Sequence, residues 1–90
     1  MQANKESILR LLKIVRGQMD GLIKMVEEDR YCIEISDQIL SSQSLLKKIN
    51  FEILQSHFNH CIQNAFTEGS KKETRQKTEE FINILNKIMK

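Results

Sequence analysis

Apolar residues recur along this chain at spacings of three, four and seven, the period of an amphipathic helix. The longest such pattern lies in Asp29–Phe66, a stretch that contains neither Gly nor Pro. Its one gap is filled by the small Ser42. The pattern predicts a long helix ending near Phe66. Its apolar stripe consists of Ile35, Ile39, Leu46, Ile49 and Ile53.

A heptad-like stripe before this stretch predicts a first helix. Asn4 is its expected N-cap and Glu6 lies in its first turn. Gly17 and Gly21 interrupt the helix interior, where each costs about 1 kcal/mol relative to Ala, so we expect another helix to approach closely there. The stripe consists of Ile8, Leu12, Val15, Met19, Leu22 and Val26.

Two junctions divide the helices. Asp29 is expected to cap the second helix, because carboxylates are favoured at helix N-termini. Gly69 predicts the stop of that helix, and Ser70 with Glu73 has the spacing of a capping box that opens a third. The pattern therefore predicts an all-α chain of three helices without strands. The apolar stripe of the third helix consists of Phe81, Ile82, Leu85, Ile88 and Met89.

Composition limits the organisation of the chain. Its 90 residues, 40% apolar and 29% charged, predict one domain over positions 1–90 with a thin core. Such a helical chain gains most by sharing apolar faces with other copies, so oligomerisation is expected. Two cysteines near the ends of one long helix predict a reducing compartment. With no leader and no apolar run near eighteen residues, we expect a cytoplasmic protein without a membrane partner.

The residues that bind soft metals lie on the long helix. His57 and Cys61 are spaced i, i+4, so their side chains share one helix face. If the helix is unbroken, the 25 residues between Cys32 and His57 span about 37 Å at about 1.5 Å per residue. A second copy packed antiparallel would bring its Cys32 beside His57 and Cys61 of the first. Two thiolates and one imidazole form a soft ligand set that suits Cu(I).

Each of these residues also has a simpler interpretation. A lone Cys is usually a small buried hydrophobe, and a lone His is usually a surface or interior residue without a ligand. Both cysteines and both histidines lie towards the ends of one apolar stripe, which favours a metal site over four unrelated residues. His60 is expected to be a surface or supporting residue beside that site. The sequence shows no Ser-His-Asp set, paired-carboxylate cleft or phosphate loop, so no enzyme is expected.

With these residues placed, the chain resembles the copper-sensing CsoR/RcnR class of bacterial transcription regulators over almost its whole length. The resemblance rests on VRGQMDGLIKMVEEDRYC, on ISDQILSSQSLL, and on Cys followed by His-x-x-x-Cys. It implies an antiparallel helical-bundle dimer that assembles into a dimer of dimers. It also implies a repressor that binds operator DNA when metal-free and releases it on binding Cu(I).

The resemblance also implies residue roles. Cys32 of one protomer, with His57 and Cys61 of its neighbour, would make a three-coordinate site. Tyr31 and Glu80 match family positions that orient the ligands and couple the site to the fold. The Glu80 match requires an insertion of about three residues near positions 67–72.

The family commonly has an Arg six residues before the Gly of the VRGQ-type motif, where this chain has Leu11 beside Arg10. The nickel and cobalt branch has His in place of Cys61 and an additional N-terminal His. The formaldehyde-sensing branch has Pro after the initiator Met, where this chain has Gln2. The last two differences argue against the nickel and cobalt branch and the formaldehyde-sensing branch, and favour the copper branch. The candidate DNA contacts are Arg10, Lys13, Arg16, Lys47 and Lys48.

Two other functions compete with a copper-responsive repressor. One is a persulfide- or redox-sensing repressor of the same fold, in which Cys32 and Cys61 of neighbouring chains react through sulfur. The other is a metal-buffering or structural helical assembly without a DNA partner. The formal charge is +2 per chain, or 4 × 2 = +8 for four copies, and does not decide between them.

Overall fold

The computed structural model describes the backbone of residues 1–68 and 71–89, and the side chains of these residues except 65–68, 73 and 89. Within these residues the chain forms three helices and no strand, as the periodicity predicted: α1 (Lys5–Glu27), α2 (Cys32–Glu68) and α3 (Lys71–Met89). The predicted stop at Gly69 and the capping box of Ser70 and Glu73 lie outside the described residues. None of the described helices is long and apolar enough to cross a membrane.

The predicted cap of α1 is confirmed. The Asn4 side-chain oxygen accepts a hydrogen bond from the backbone N–H of Ser7 at 3.1 Å. It thereby satisfies one of the four N–H groups that the first turn of a helix leaves without a partner. Glu6 lies in that turn, where a carboxylate is favoured by the helix dipole.

The prediction that Asp29 caps α2 is wrong. Asp29 has φ of 53° and belongs to the terminal turn of α1: its N–H donates to the Val26 carbonyl at 3.1 Å. The Arg30 N–H donates to the Met25 carbonyl at 3.0 Å, which completes a Schellman motif. Asp visits the left-handed region more readily than most residues, and can therefore end one helix as well as cap the next. Tyr31 occupies the position before α2.

Asn4–Phe51 forms one compact unit, in which α1 and the first part of α2 run antiparallel. Its buried apolar residues are Ile8, Val15 and Ile49. Ser42, which fills the gap in the α2 stripe, is 2% exposed, and its hydroxyl donates to the Gln18 side-chain oxygen at 2.7 Å.

Much of the predicted apolar stripe remains exposed in this unit. Leu12, Val26, Ile39 and Leu46 are between 41% and 58% exposed. A surface groove of about 310 Å³ separates the end of α1 from the start of α2. The groove is lined by Leu22, Ile23, Val26, Glu27, Ile35 and Ile39.

Residues from Glu52 onward form the second compact unit, together with residues 1–3. Phe58 of α2 is 3% exposed and packs edge-to-face on Phe81 of α3, with ring centroids 4.6 Å apart. This aromatic pair joins the second part of α2 to α3. Phe81, expected on the apolar stripe of α3, is still 39% exposed.

Candidate metal centre

The structure brings His57 and Cys61 together one turn apart on α2. The Cys61 Sγ lies 3.6 Å from the His57 Nε2, and both residues are partly exposed. The i, i+4 spacing alone produces this adjacency, because consecutive turns of a helix stack such side chains. A thiol and an imidazole thus face the same space and can both donate electron pairs to a soft metal ion.

The His57 ring also meets a carboxylate from α3. The Glu80 Oε1 lies 3.6 Å from the His57 Nε2, although the two residues are 23 positions apart. The structure thus places Glu80 beside a predicted ligand. The match of Glu80 to its family position requires an insertion near positions 67–72. A carboxylate in this position can hold the ring in one orientation, as the outer hydrogen bonds of metal-binding histidines do.

The carboxylate also favours one arrangement of the imidazole proton. An ionised carboxylate accepts hydrogen bonds and donates none, so its contact with Nε2 is attractive when Nε2 carries the proton. The neutral His57 ring then keeps its lone pair on Nδ1. In this tautomer the lone pair available to a metal ion is on Nδ1, whereas the Cys61 Sγ lies 3.6 Å from Nε2.

Two residues around His57 are missed by sequence reasoning. Phe58 packs its ring edge-to-face against the His57 ring, with centroids 5.3 Å apart. Lys77 lies 3.7 Å from the Glu80 Oε2. The i, i+3 spacing of Lys77 and Glu80 is a signal that sequence reasoning can use, whereas the burial of Phe58 depends on α3.

The remaining predicted site residues lie elsewhere in the chain. Cys32 begins α2 and is exposed, and the preceding Tyr31 is 68% exposed; both belong to the unit Asn4–Phe51. His60 is exposed, with its Nε2 3.2 Å from the Asn64 Nδ2. Across the part of the chain that the structure describes, no three His, Cys, Asp or Glu side chains group to hold a metal ion.

The five basic residues predicted to contact DNA all belong to the unit Asn4–Phe51, and all are exposed. Among the side chains that the structure describes, none of them is in an ion pair, although Lys24 pairs with Glu28 and Arg30 pairs with Glu34. Their charges are therefore available to external anions. They are Arg10, Lys13 and Arg16 on α1 and Lys47 and Lys48 on α2.

A three-helix chain with a His–Cys pair and exposed basic residues has the features of a metal-responsive DNA-binding regulator. The family model described as metal-sensitive transcriptional repressor matches residues 4–87. The chain belongs to this family of transcriptional repressors, and its relatives place it with the CsoR type.

Several curated relatives carry the name copper-sensing transcriptional repressor CsoR, and two of them show the range of the similarity. The chain is 34% identical to the Bacillus subtilis protein over 86 residues, covering 96% of this chain and 82% of the relative. It is 38% identical to the Mycobacterium tuberculosis H37Rv protein over 69 residues, covering 77% of this chain and 58% of the relative.

The fold is shared with solved structures that include the following two. One is the copper-sensing repressor CsoR with Cu(I) from Geobacillus thermodenitrificans, at a TM-score of 0.81 and 34% identity, covering 100% of this chain and 94% of the other. The second is the nickel-responsive transcriptional regulator InrS, also at a TM-score of 0.81, with 27% identity and coverage of 98% and 96%.

Proposed function

We propose that this protein is a Cu(I)-responsive repressor that binds operator DNA when metal-free and releases it on binding the metal. The observation that carries the proposal is the His57–Cys61 pair, with a nitrogen–sulfur distance of 3.6 Å and with Glu80 on the same ring. A thiol and an imidazole are a donor set that suits Cu(I). The names of the relatives, copper-sensing repressors at 34% and 38% identity, support the same metal.

The proposed site is shared between two copies of the chain. Cys32 of one protomer joins His57 and Cys61 of its neighbour, which gives two thiolates and one imidazole. The absence of a three-ligand group among the described residues of one chain supports a shared site. The exposed thiol of Cys32 supports it too, because the thiol is accessible to a partner. When bound, Cu(I) would link the two chains through these ligands.

Residues beside the ligands orient them. Glu80 holds the His57 ring through Nε2 and leaves Nδ1 for the metal. Tyr31 precedes Cys32 at the start of α2, where its ring can pack against the neighbouring chain around the thiolate. Both roles follow the family positions that these residues match.

The proposed assembly is an antiparallel dimer that pairs into a dimer of dimers, with residues 1–90 acting as one domain. The exposed apolar side chains of α1 and α2 support it, because a stable monomer rarely leaves so many in contact with water. Full burial of such a side chain from water contributes about 1.5–3 kcal/mol, so covering the exposed half of each would contribute about half of that. Those more than half exposed on α1 and α2 are Ile23, Val26, Ile33, Leu40 and Phe51.

The proposed DNA surface is formed by the five exposed basic residues of the unit Asn4–Phe51. Lys and Arg that have no partner in the protein can neutralise phosphates and release counterions from the duplex. These contacts position the protein on DNA without reading its sequence. A repressor of this kind acts where the operator lies, in the cytoplasm.

Copper can release DNA only if it binds the DNA-incompetent conformation more tightly. By linkage, operator DNA must weaken Cu(I) binding by the same factor, a coupling typically worth about 1 to 3 kcal/mol. Because α2 contains all three proposed ligands together with Lys47 and Lys48, one helix connects the metal site to the DNA surface.

A second candidate function uses the same two thiols. The Cys61 thiol lies beside His57, which can act as a base for it, and Cys32 is exposed and free. A persulfide- or redox-sensing repressor would form a sulfur link between Cys32 and Cys61 of neighbouring chains. Anaerobic Cu(I) that releases operator DNA with both thiols intact would support copper, whereas release only after sulfide or oxidant treatment would support sulfur chemistry.

Complementation tests the shared site. A Cys32→Ala chain and a Cys61→Ala chain each lack one thiolate, but one intact site forms when the two pair. We expect an equimolar mixture, unfolded and refolded together, to bind Cu(I) far more tightly than either variant alone in an anaerobic chelator competition.

The double variant Cys32→Ala/Cys61→Ala mixed with the Cys32→Ala chain is the matched control, because neither chain supplies Cys32 and no pairing of the two forms an intact site. A mixture no better than the separate variants would show that the ligands are not shared between chains.

A further inference from the structure

Glu80 lies between an imidazole ring and an ammonium group, and only the imidazole belongs to the proposed metal site. Its Oε1 faces the His57 Nε2 at 3.6 Å, and its Oε2 faces the Lys77 Nζ at 3.7 Å. The two carboxylate oxygens are therefore divided between a ring on α2 and an ammonium on α3. Lys77 itself has no ion pair with any other described residue.

The position of Lys77 allows it to orient the Glu80 carboxylate, which an ordinary surface ion pair does not require. The last torsion of a Glu side chain is broad, so a carboxylate without a second partner rotates through many orientations. Lys77 is three residues before Glu80 on α3 and thus on the same helix face. By attracting one oxygen, it leaves the other directed at His57.

We propose that Lys77 is a positioning residue for the metal site: it orients the Glu80 carboxylate, which in turn holds the proton of the neutral His57 ring on Nε2 and keeps Nδ1 free. The proposal rests on the proposed function in one respect, that His57 binds the metal. The side chains of Lys77, Glu80 and His57 are 41%, 42% and 44% exposed, so solvent screens the pair. We therefore expect an effect of about two-fold on the ratio of the two tautomers.

The test measures the His57 tautomer in the metal-free protein, from the imidazole ¹⁵N chemical shifts of histidine-labelled samples. Lys77→Gln should lower the ratio of the Nε2–H form to the Nδ1–H form by about two-fold. Glu80→Gln should lower the same ratio by a larger factor. Lys77→Arg keeps the charge and should keep the wild-type ratio. The chain has 2 histidines, so His60 is an internal reference whose shifts should not move.

Arg75→Gln is the matched control, because it removes the same charge from an exposed position two residues away on α3. An unchanged ratio in Lys77→Gln would overturn the proposal, and so would an equal change in Arg75→Gln. Because the measurement uses no metal, it separates the two proposals. A chain that fails to bind Cu(I) in chelator competition contradicts the proposed function, whereas the tautomer ratio decides the role of Lys77.

Discussion

At the scale of single residues, the thiolates and the imidazole are expected to contribute differently. Thiolates are the stronger ligands for Cu(I), so Cys32 and Cys61 should supply most of the affinity. His57 is the proposed ligand that contacts α3, through Glu80, and its neighbour Phe58 packs on Phe81 of α3, so His57 should couple the metal to the fold. We expect His57→Ala to retain appreciable Cu(I) affinity but to lose much of the copper-driven release of DNA, whereas Cys32→Ala loses both.

The measurement is an anaerobic titration of operator-bound protein with Cu(I), in which the fluorescence anisotropy of the DNA reports its release. His60→Ala is the control, because His60 is exposed three positions away on the same helix and should behave as the wild type. Release by His57→Ala at the wild-type level would show that this ring is not part of the switch.

At the scale of elements, one partly buried hydrogen bond joins α1 to α2. Ser42 is 2% exposed, and its hydroxyl donates to Gln18 across the helix pair at 2.7 Å. Removing the donor leaves a partly buried oxygen without its partner, which typically costs about 1–3 kcal/mol. We expect Ser42→Ala to lower the free energy of unfolding by that amount, measured by denaturant at fixed protein concentration because stability depends on assembly.

Ser44→Ala is the matched control two residues along α2. The Ser44 hydroxyl donates to the Leu40 carbonyl at 3.1 Å in an exposed position, so its loss should change stability by about 0.5 kcal/mol or less. Equal stabilities of Ser42→Ala and the wild type would show that the buried pair does not stabilise the helix alignment.

At the scale of the whole molecule, the exposed basic residues should make DNA binding depend steeply on salt. Each neutralised phosphate contributes a slope of about −0.9 to the logarithm of the association constant against the logarithm of the salt concentration. We expect Arg16→Gln and Lys48→Gln each to weaken binding to operator and to unrelated DNA alike, and to flatten this slope, as measured by anisotropy titrations at several salt concentrations.

Lys87→Gln removes the same charge from an exposed position near the end of α3, and should leave the slope unchanged. A wild-type slope in both Arg16→Gln and Lys48→Gln would place the DNA surface on other residues of the assembly.

Local signals account for the part of the protein that the sequence predicts well. Three helices, the Asn4 cap and the adjacency of His57 and Cys61 depend on spacings of seven residues or fewer. The helix period converts such spacings directly into neighbouring side chains. The sequence by itself thus determines the all-helical class and the adjacency of His57 and Cys61, two of the three proposed ligands.

Only the tertiary structure decides which partners reach these residues. The contact of Glu80 with His57 and the burial of Phe58 require α3 to pack on α2, and so does the placement of Glu80 between His57 and Lys77. The left-handed conformation of Asp29 is a local feature of the end of α1, but residue type alone does not predict it, because Asp serves both at the end and at the start of a helix. Helix periodicity fixes which side chains share a face but does not fix which face of another helix meets them, so the surroundings of the candidate site follow from packing alone.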